Sequence, residues 1–454
     1  MTVRRTEAWI LAVIFVALIS IPVVVFVAGV RPEPNQNRPP TPLPDFDASG
    51  VLDGELTPQL DAYLEDALII TPGAVAANAL TDLALGESPS DKVTLGSNNW
   101  LYYTFSLTRP CLSDDDTAAL ADTIARAERA VAATGRTLVV AVAPDKATIV
   151  PEFLPDVETC VQEVAESLEA LDEPQALITV WEDMRKARAD EYAIYFRLDT
   201  HWTNAGAAVM SEAIIDTLDR DGWDEEAVKR LGTVDHEGDL TVILGLPGTE
   251  PTDELEVILP DTVLTREIRK LQTPNGVDVD SAVAVDFSIA GEPIVPGHTL
   301  VMHDSYGWAL TPMIAPYFET AAIIAETDPE PGYMRQDLNA AEIIIHISVQ
   351  RELHETILDR DLGTAFVAAL ADSYTRSGGG ILGAGMPVEL EERPGLDHYV
   401  IVETRDGSGG FEVGVGTRTV TLTPDSPRTA FHIDGPSTLT TSGPVNYYYV
   451  SISR

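Results

Sequence analysis

Thr117 to Lys146 reads TAALADTIARAERAVAATGRTLVVAVAPDK. Its first part is an Ala-rich helix, and the acidic run Asp114 to Asp116 lies just ahead of it, where the positive end of a helix favours carboxylates. Gly135 stops the helix. TLVVAV (Thr137 to Val142) follows as a strand with the apolar run of a fully buried element. Pro144-Asp145-Lys146 then sets polar groups at the carboxyl end of that strand.

The same alternation extends on both sides. Val161 to Leu171, Val180 to Asp190 and Ala205 to Leu218 read as helices, the last with Thr203 as its N-cap. Ala193 to Leu198, Leu300 to Met302, Ala321 to Ala325 and Ile343 to Ile347 read as strands. Buried strands alternating with helices predict an α/β fold, a doubly wound parallel sheet covered on both faces, over residues 60–376. Glu250 to Gly297 is less regular and is expected to form an inserted subregion of short strands. SGGG (Ser377 to Gly380) reads as a linker. Residues 381–454 hold seven short strand-like segments separated by turn signals, which predicts a C-terminal all-β sandwich.

Upstream, Trp9 to Val30 carries no charge over 22 positions, enough to cross a bilayer core as a helix. Arg4 and Arg5 precede it, so residues 1–8 are expected in the cytoplasm and the remainder outside. The run exceeds a signal-peptide core, which favours a retained single-pass transmembrane helix over a cleaved leader. Residues 31–59 begin with six prolines between Arg31 and Pro44 and read as an extended stalk. In an exported chain the two cysteines, Cys111 and Cys160, are expected to form a disulfide.

The formal net charge of −43 argues against nucleic acid as a partner. Polar clusters end three of the expected strands: Pro144-Asp145-Lys146, Asp199-Thr200-His201 and Asp304-Ser305. Ligands of such sheets bind beyond the carboxyl ends of the strands. Asp199 and His201 are spaced so that the carboxylate reaches back to the imidazole, as in hydrolase triads. Ser305 follows a strand and precedes Gly307 and a helix-like run, the setting of an exposed nucleophile. His201, His236 and His303 around Asp199 is the rival zinc arrangement, but metal-ligand spacings are missing, so no metal and no cofactor is expected. His346 lies in an apolar run and reads as core.

Four stretches carry a family resemblance: GSNNWLYY (Gly96 to Tyr103), APDKATIVPEFLP (Ala143 to Pro155), DTHWTNAG (Asp199 to Gly206) and HDSYG (His303 to Gly307), with Gly238-Asp239-Leu240 as a weaker echo. The chain resembles the AlgX/AlgJ-type SGNH hydrolase-like proteins, which O-acetylate exported polysaccharides. The resemblance implies an SGNH-like domain in which the Asp-x-His motif precedes the serine, a permuted triad order. It puts the catalytic roles on Ser305, His201 and Asp199. Trp202, Lys146, Asp304, Tyr306 and Arg351 join them as substrate-binding or supporting candidates. It further implies a polysaccharide acceptor, an acetyl donor of the membrane-bound O-acyltransferase type, and carbohydrate binding by the terminal sandwich. Asn99 stands where the family has glycine, and His303 where it has a small residue. The acidic balance argues against a polyuronate such as alginate as the acceptor. A carbohydrate acetylesterase with the same triad and a non-catalytic glycan-binding assembly protein are the alternatives.

Overall fold

The structure, a computed structural model, describes residues 71–454 and positions 59 and 63, except for 172, 190–192, 219–221, 274–275, 406–409 and 425. The apolar segment 9–30, read above as a membrane anchor, and the Pro-rich start of the stalk lie outside the described residues. Among the described residues no helix is long and apolar enough to cross a membrane.

Val93–Leu95 (β1) and Leu101–Tyr103 (β2) pair antiparallel across a turn in which Asn98 and Asn99 both take left-handed backbone, φ 55° and 61°. Asparagine tolerates that region best after glycine. Asn99 therefore takes the turn for which the resemblance expects glycine. Ser113 opens the helix Asp114–Ala132 (α1). Its hydroxyl accepts from the Asp116 N–H, and the Asp116 carboxylate accepts from the Ser113 N–H, a reciprocal cap. Cys111, just ahead of it, is bonded to Cys160.

After the helix comes Thr137–Ala143 (β3), buried without a break from Leu138 onward, as a strand covered on both faces must be. Helix α1 and Asn204–Leu218 (α2) both pack on it. The later strands are Leu177–Thr179 (β4), Val228–Glu237 (β5), Thr249–Val257 (β6), Val263–Gln272 (β7), Asp278–Ala290 (β8), Val295–His303 (β9), Phe318–Ile324 (β10) and Ile343–Val349 (β11). The central sheet is ordered β4-β3-β11-β9-β10-β8-β7. Strands β4, β3, β11, β9 and β10 are parallel.

Three expectations are corrected. The sheet is mixed, because β8 and β7 add to it antiparallel. They come from the stretch expected to be an irregular insertion. Strand β7 (VLTREIRKLQ) is mostly exposed and rich in charge, so it lacks the apolar run that marks a buried strand. Second, Ala193 to Leu198 is no strand, and only Tyr195 bridges to Trp202. Its backbone groups are satisfied otherwise. Lys146 donates to the Phe196 carbonyl, the Glu250 carboxylate accepts from the Arg197 and Leu198 N–H groups, and the Arg197 carbonyl accepts from the Leu101 N–H. Third, Ser377–Leu382 (β12) is a strand, not a linker, so the C-terminal unit begins before residue 381. Gly379 (φ 105°) lies so close to its neighbour that a Cβ would stand 2.2 Å from the Tyr447 carbonyl oxygen. Glycine here permits close strand pairing.

The other C-terminal strands are Val388–Leu390 (β13), Leu396–Thr404 (β14), Phe411–Val415 (β15), Arg418–Leu422 (β16), Arg428–His432 (β17), Ser437–Thr441 (β18) and Val445–Ser453 (β19). They form two four-stranded antiparallel sheets, β12-β19-β14-β17 and β13-β18-β15-β16. Pleating divides the Tyr447 to Tyr449 run. Tyr447 and Tyr449 pack toward the core between the sheets, and Tyr448 faces the α/β unit. There Tyr399, Ile401, Tyr448 and Val450 meet Ala130 of α1 and Val367 of a late helix, in one apolar seam.

Candidate active site

Because β3, β9 and β11 are parallel, their carboxyl ends share one edge of the sheet. Asp145 and Lys146 follow β3, Asp304 and Ser305 follow β9, and Gln350 and Arg351 follow β11. The segment carrying Asp199 and His201 reaches the same edge as an irregular bend, fastened by the Tyr195–Trp202 bridge. Bend and strand end then meet. His201 Nε2 is 2.8 Å from Ser305 Oγ, and His201 Nδ1 is 2.7 Å from Asp199 Oδ1. A carboxylate only accepts, so the imidazole proton sits on Nδ1 and Nε2 is left to accept from the serine hydroxyl. Ser305 is exposed and Asp199 is buried.

Asp199 is fully engaged. Its Oδ1 also accepts from the His201 N–H (2.8 Å), and its Oδ2 accepts from His236 Nε2 (2.9 Å) and the Asp239 N–H (3.1 Å). Burial opposes its ionisation, but hydrogen bonds from His201 and His236 outweigh that and hold its carboxyl far below the ordinary range. Asp239 accepts from the Thr200 N–H at 2.7 Å, and burial together with the Asp199 charge pushes its own pKa up. His236 rides on β5, its ring stacked 3.8 Å from Phe196. The hydrogen bond to Asp199 raises its pKa.

The supporting candidates brace this arrangement from beneath. Lys146, only 4% exposed, donates to the carbonyls of Asp199 (2.6 Å) and Phe196 (3.2 Å), and burial pulls its pKa down to about 7. Trp202 is buried and donates to the Tyr306 carbonyl (3.0 Å), and the Tyr306 hydroxyl donates to the Thr200 carbonyl (2.9 Å). Arg351 is buried between Asp145 (2.7 Å) and the Tyr306 hydroxyl (3.2 Å). Asp304 accepts from the Tyr306 N–H (2.9 Å) and the Val349 N–H (2.6 Å), tying β9 to β11. Helix Gly307–Ile314 (α3) starts two residues after Ser305.

Sequence reasoning missed the role of two members. His236 enters as a partner of Asp199, not as a zinc ligand, and Asp239 lies in the Gly-Asp-Leu echo without having been singled out. Asp199, His201 and Asp239 set ligand atoms within 4.8 Å of one another, but those of Asp199 and His201 are engaged in the hydrogen bond between the two. His303 is apart from them, its Nδ1 turned to the Asp304 carbonyl.

Residues 93–277 match the family model described as the SGNH hydrolase-like domain of the acetyltransferase AlgX. The AlgX/AlgJ-type resemblance therefore holds over the stretch that contains Asp199, His201, His236 and Asp239. Solved structures similar to this chain include the O-acetyltransferase domain of Pseudomonas putida AlgJ (19% identity, 58% of this chain and 92% of that one, TM-score 0.39). Bacillus cereus PatB1 (15%, 58% and 97%, TM-score 0.43) and Pseudomonas aeruginosa AlgX (14%, 80% and 94%, TM-score 0.40) are also among them. No curated protein matches.

Proposed function

We propose that this protein is an O-acetyltransferase acting outside the cytoplasm on a cell-envelope or secreted polysaccharide, with Ser305 as the acetyl carrier. The observation that carries the reading is the unbroken hydrogen-bond relay from Ser305 Oγ through His201 to Asp199. It stands in a chain whose residues 93–277 match an acetyltransferase family.

In the first half-reaction Ser305 Oγ attacks the acetyl carbonyl as its proton passes to His201 Nε2. The tetrahedral adduct collapses, the donor's leaving group takes the proton from His201, and acetyl-Ser305 remains. A sugar hydroxyl then gives its proton to His201 and attacks the same carbonyl. Ser305 Oγ leaves and regains the proton. Asp199 stays ionised throughout, holding the imidazole and stabilising its cation.

The Asp-x-His motif comes before the serine, the permuted order. The Cys111–Cys160 bond suits an oxidising compartment, and the apolar run 9–30 supplies the anchor. The donor is a membrane-bound O-acyltransferase, by family resemblance. The terminal sandwich is a carbohydrate-binding unit on the same ground.

Transfer and hydrolysis part at the second step. Purified full chain, given an aryl acetate with and without a polysaccharide acceptor, is expected to acetylate the glycan. Ser305→Ala lowers that rate by about 10⁴-fold or more. Turnover that yields only free acetate at every acceptor concentration makes the chain an esterase. Unchanged glycan acetylation by Ser305→Ala removes the mechanism.

A further inference from the structure

Burying an indole is among the larger single gains available to a folding chain. Trp181 and Trp202 are fully buried, Trp100 stacks on Phe153, and Trp223 stacks on Tyr317. Trp308 is instead 54% exposed. It follows Ser305 by three residues, across a turn closed by the Gly307 N–H on the Asp304 carbonyl (3.1 Å), and sits in the first turn of α3. Three residues of chain can span at most about 11 Å, so the indole lies close to the nucleophile. Both are open to solvent.

The indole is also held. It meets the buried His303 ring edge-on, centroids 5.2 Å apart. That imidazole lies against the start of the helix, where a Cβ on Gly307 would stand 2.1 Å from it. His303, which stands where the resemblance expects a small side chain, props an aromatic ring in the turn after the nucleophile.

We infer that Trp308 forms the acceptor subsite, stacking the apolar face of an uncharged pyranose so that a ring hydroxyl meets acetyl-Ser305 and His201. The inference rests on the transferase reading and names its substrate class. The carbon-bound hydrogens of a pyranose face are apolar and slightly positive, which suits the negative face of an indole. Charge points the same way. Asp199, Asp239 and Asp304 surround the site, and the nearby basic side chains Lys146 and Arg351 are buried and bonded to groups of the protein. A uronate finds no counter-charge in that set.

The test is titration calorimetry on full-length Ser305→Ala chain in a detergent without sugar headgroups, with cellopentaose and chitopentaose as probes. At least one of the two binds. Adding Trp308→Ala weakens it by about tenfold or more, and adding Trp308→Phe by less than about threefold. With Ser305 present, an aryl acetate as donor and the bound pentasaccharide as acceptor, Trp308→Ala lowers the ratio of transfer to hydrolysis by about tenfold. The inference is overturned if neither probe binds. It is equally overturned if Trp308→Ala changes affinity by less than about twofold, or if an oligouronate of equal length binds as tightly. Loss of binding with Trp308→Ala in a chain that never acetylates Ser305 removes the transferase reading and leaves the subsite standing.

Discussion

Asp199 serves two imidazoles, and that sharing sets the pH behaviour of the site. The hydrogen bond to Asp199 raises the pKa of His236, with Glu250 and Asp239 adding their charge. A raised pKa means that the folded chain holds this proton more tightly than the unfolded one. The pair's contribution to stability is therefore complete below the unfolded value and lost as pH rises through the folded one. Activity runs the other way. Protonated His236 offsets part of the Asp199 charge that supports the relay, so the rate climbs as His236 releases its proton. His236→Gln keeps a donor and removes the titration. Its kcat/KM profile for aryl acetate turnover is predicted to show one ionisation fewer on the acid limb and to level off at lower pH. Superimposable profiles would contradict the coupling. Asp199 and His201 were legible because two residues of a short motif reach each other locally. The roles of His236 and Asp239 were not, since they arrive nearly forty residues later: His236 was read only as a rival zinc ligand, and Asp239 only within the weak Gly-Asp-Leu echo.

At the scale of elements, the site is an irregular bend clamped to a regular sheet. The bend holds because α2 starts against it, and the start is tight. A Cβ on Gly206 would lie 2.5 Å from the Ile194 carbonyl oxygen and 2.8 Å from Trp202 Cβ. Gly206→Ala is predicted to push α2 away from the bend, costing about 1–3 kcal/mol in urea unfolding and lowering turnover together with stability. Full stability would show that the bend does not depend on this packing. The Thr203 cap and α2 itself were readable, because a capping side chain before an apolar helix is a local signal. AIYFRL was misread for the converse reason. Its residues have the composition of a buried strand, but a lysine and a glutamate from distant segments take the backbone bonds that a neighbouring strand would have taken. Strand β7 hid as a mostly exposed antiparallel element with no apolar run.

At the scale of the molecule, the terminal sandwich is a fixed part of the body. Beside its apolar seam, Asp397 is 2% exposed and accepts from Arg129 of α1 (2.7 Å) and from Arg454 (3.0 Å). Asp397→Ala leaves both guanidiniums without that partner. It is predicted to cost about 1–3 kcal/mol, the burial of the carboxylate being offset by solvent around the arginines. Calorimetry of the parent chain should show one transition for both units. Two well-separated transitions would mean that the seam does not couple them. The sandwich strands were visible in their spacing and turns, but their docking was not, because the seam is built from small alanines of helices that read as ordinary core.

The central claim is that Ser305 carries the acetyl group. Full-length chain quenched in acid during turnover of an aryl acetate, then digested and analysed by peptide mass spectrometry, gives the most direct test. The account predicts a single acetyl on the peptide containing Ser305, absent from Ser305→Ala, and accumulating when His201→Ala is given a highly activated donor. Acetyl on another residue, or turnover with Ser305 never modified, would contradict it.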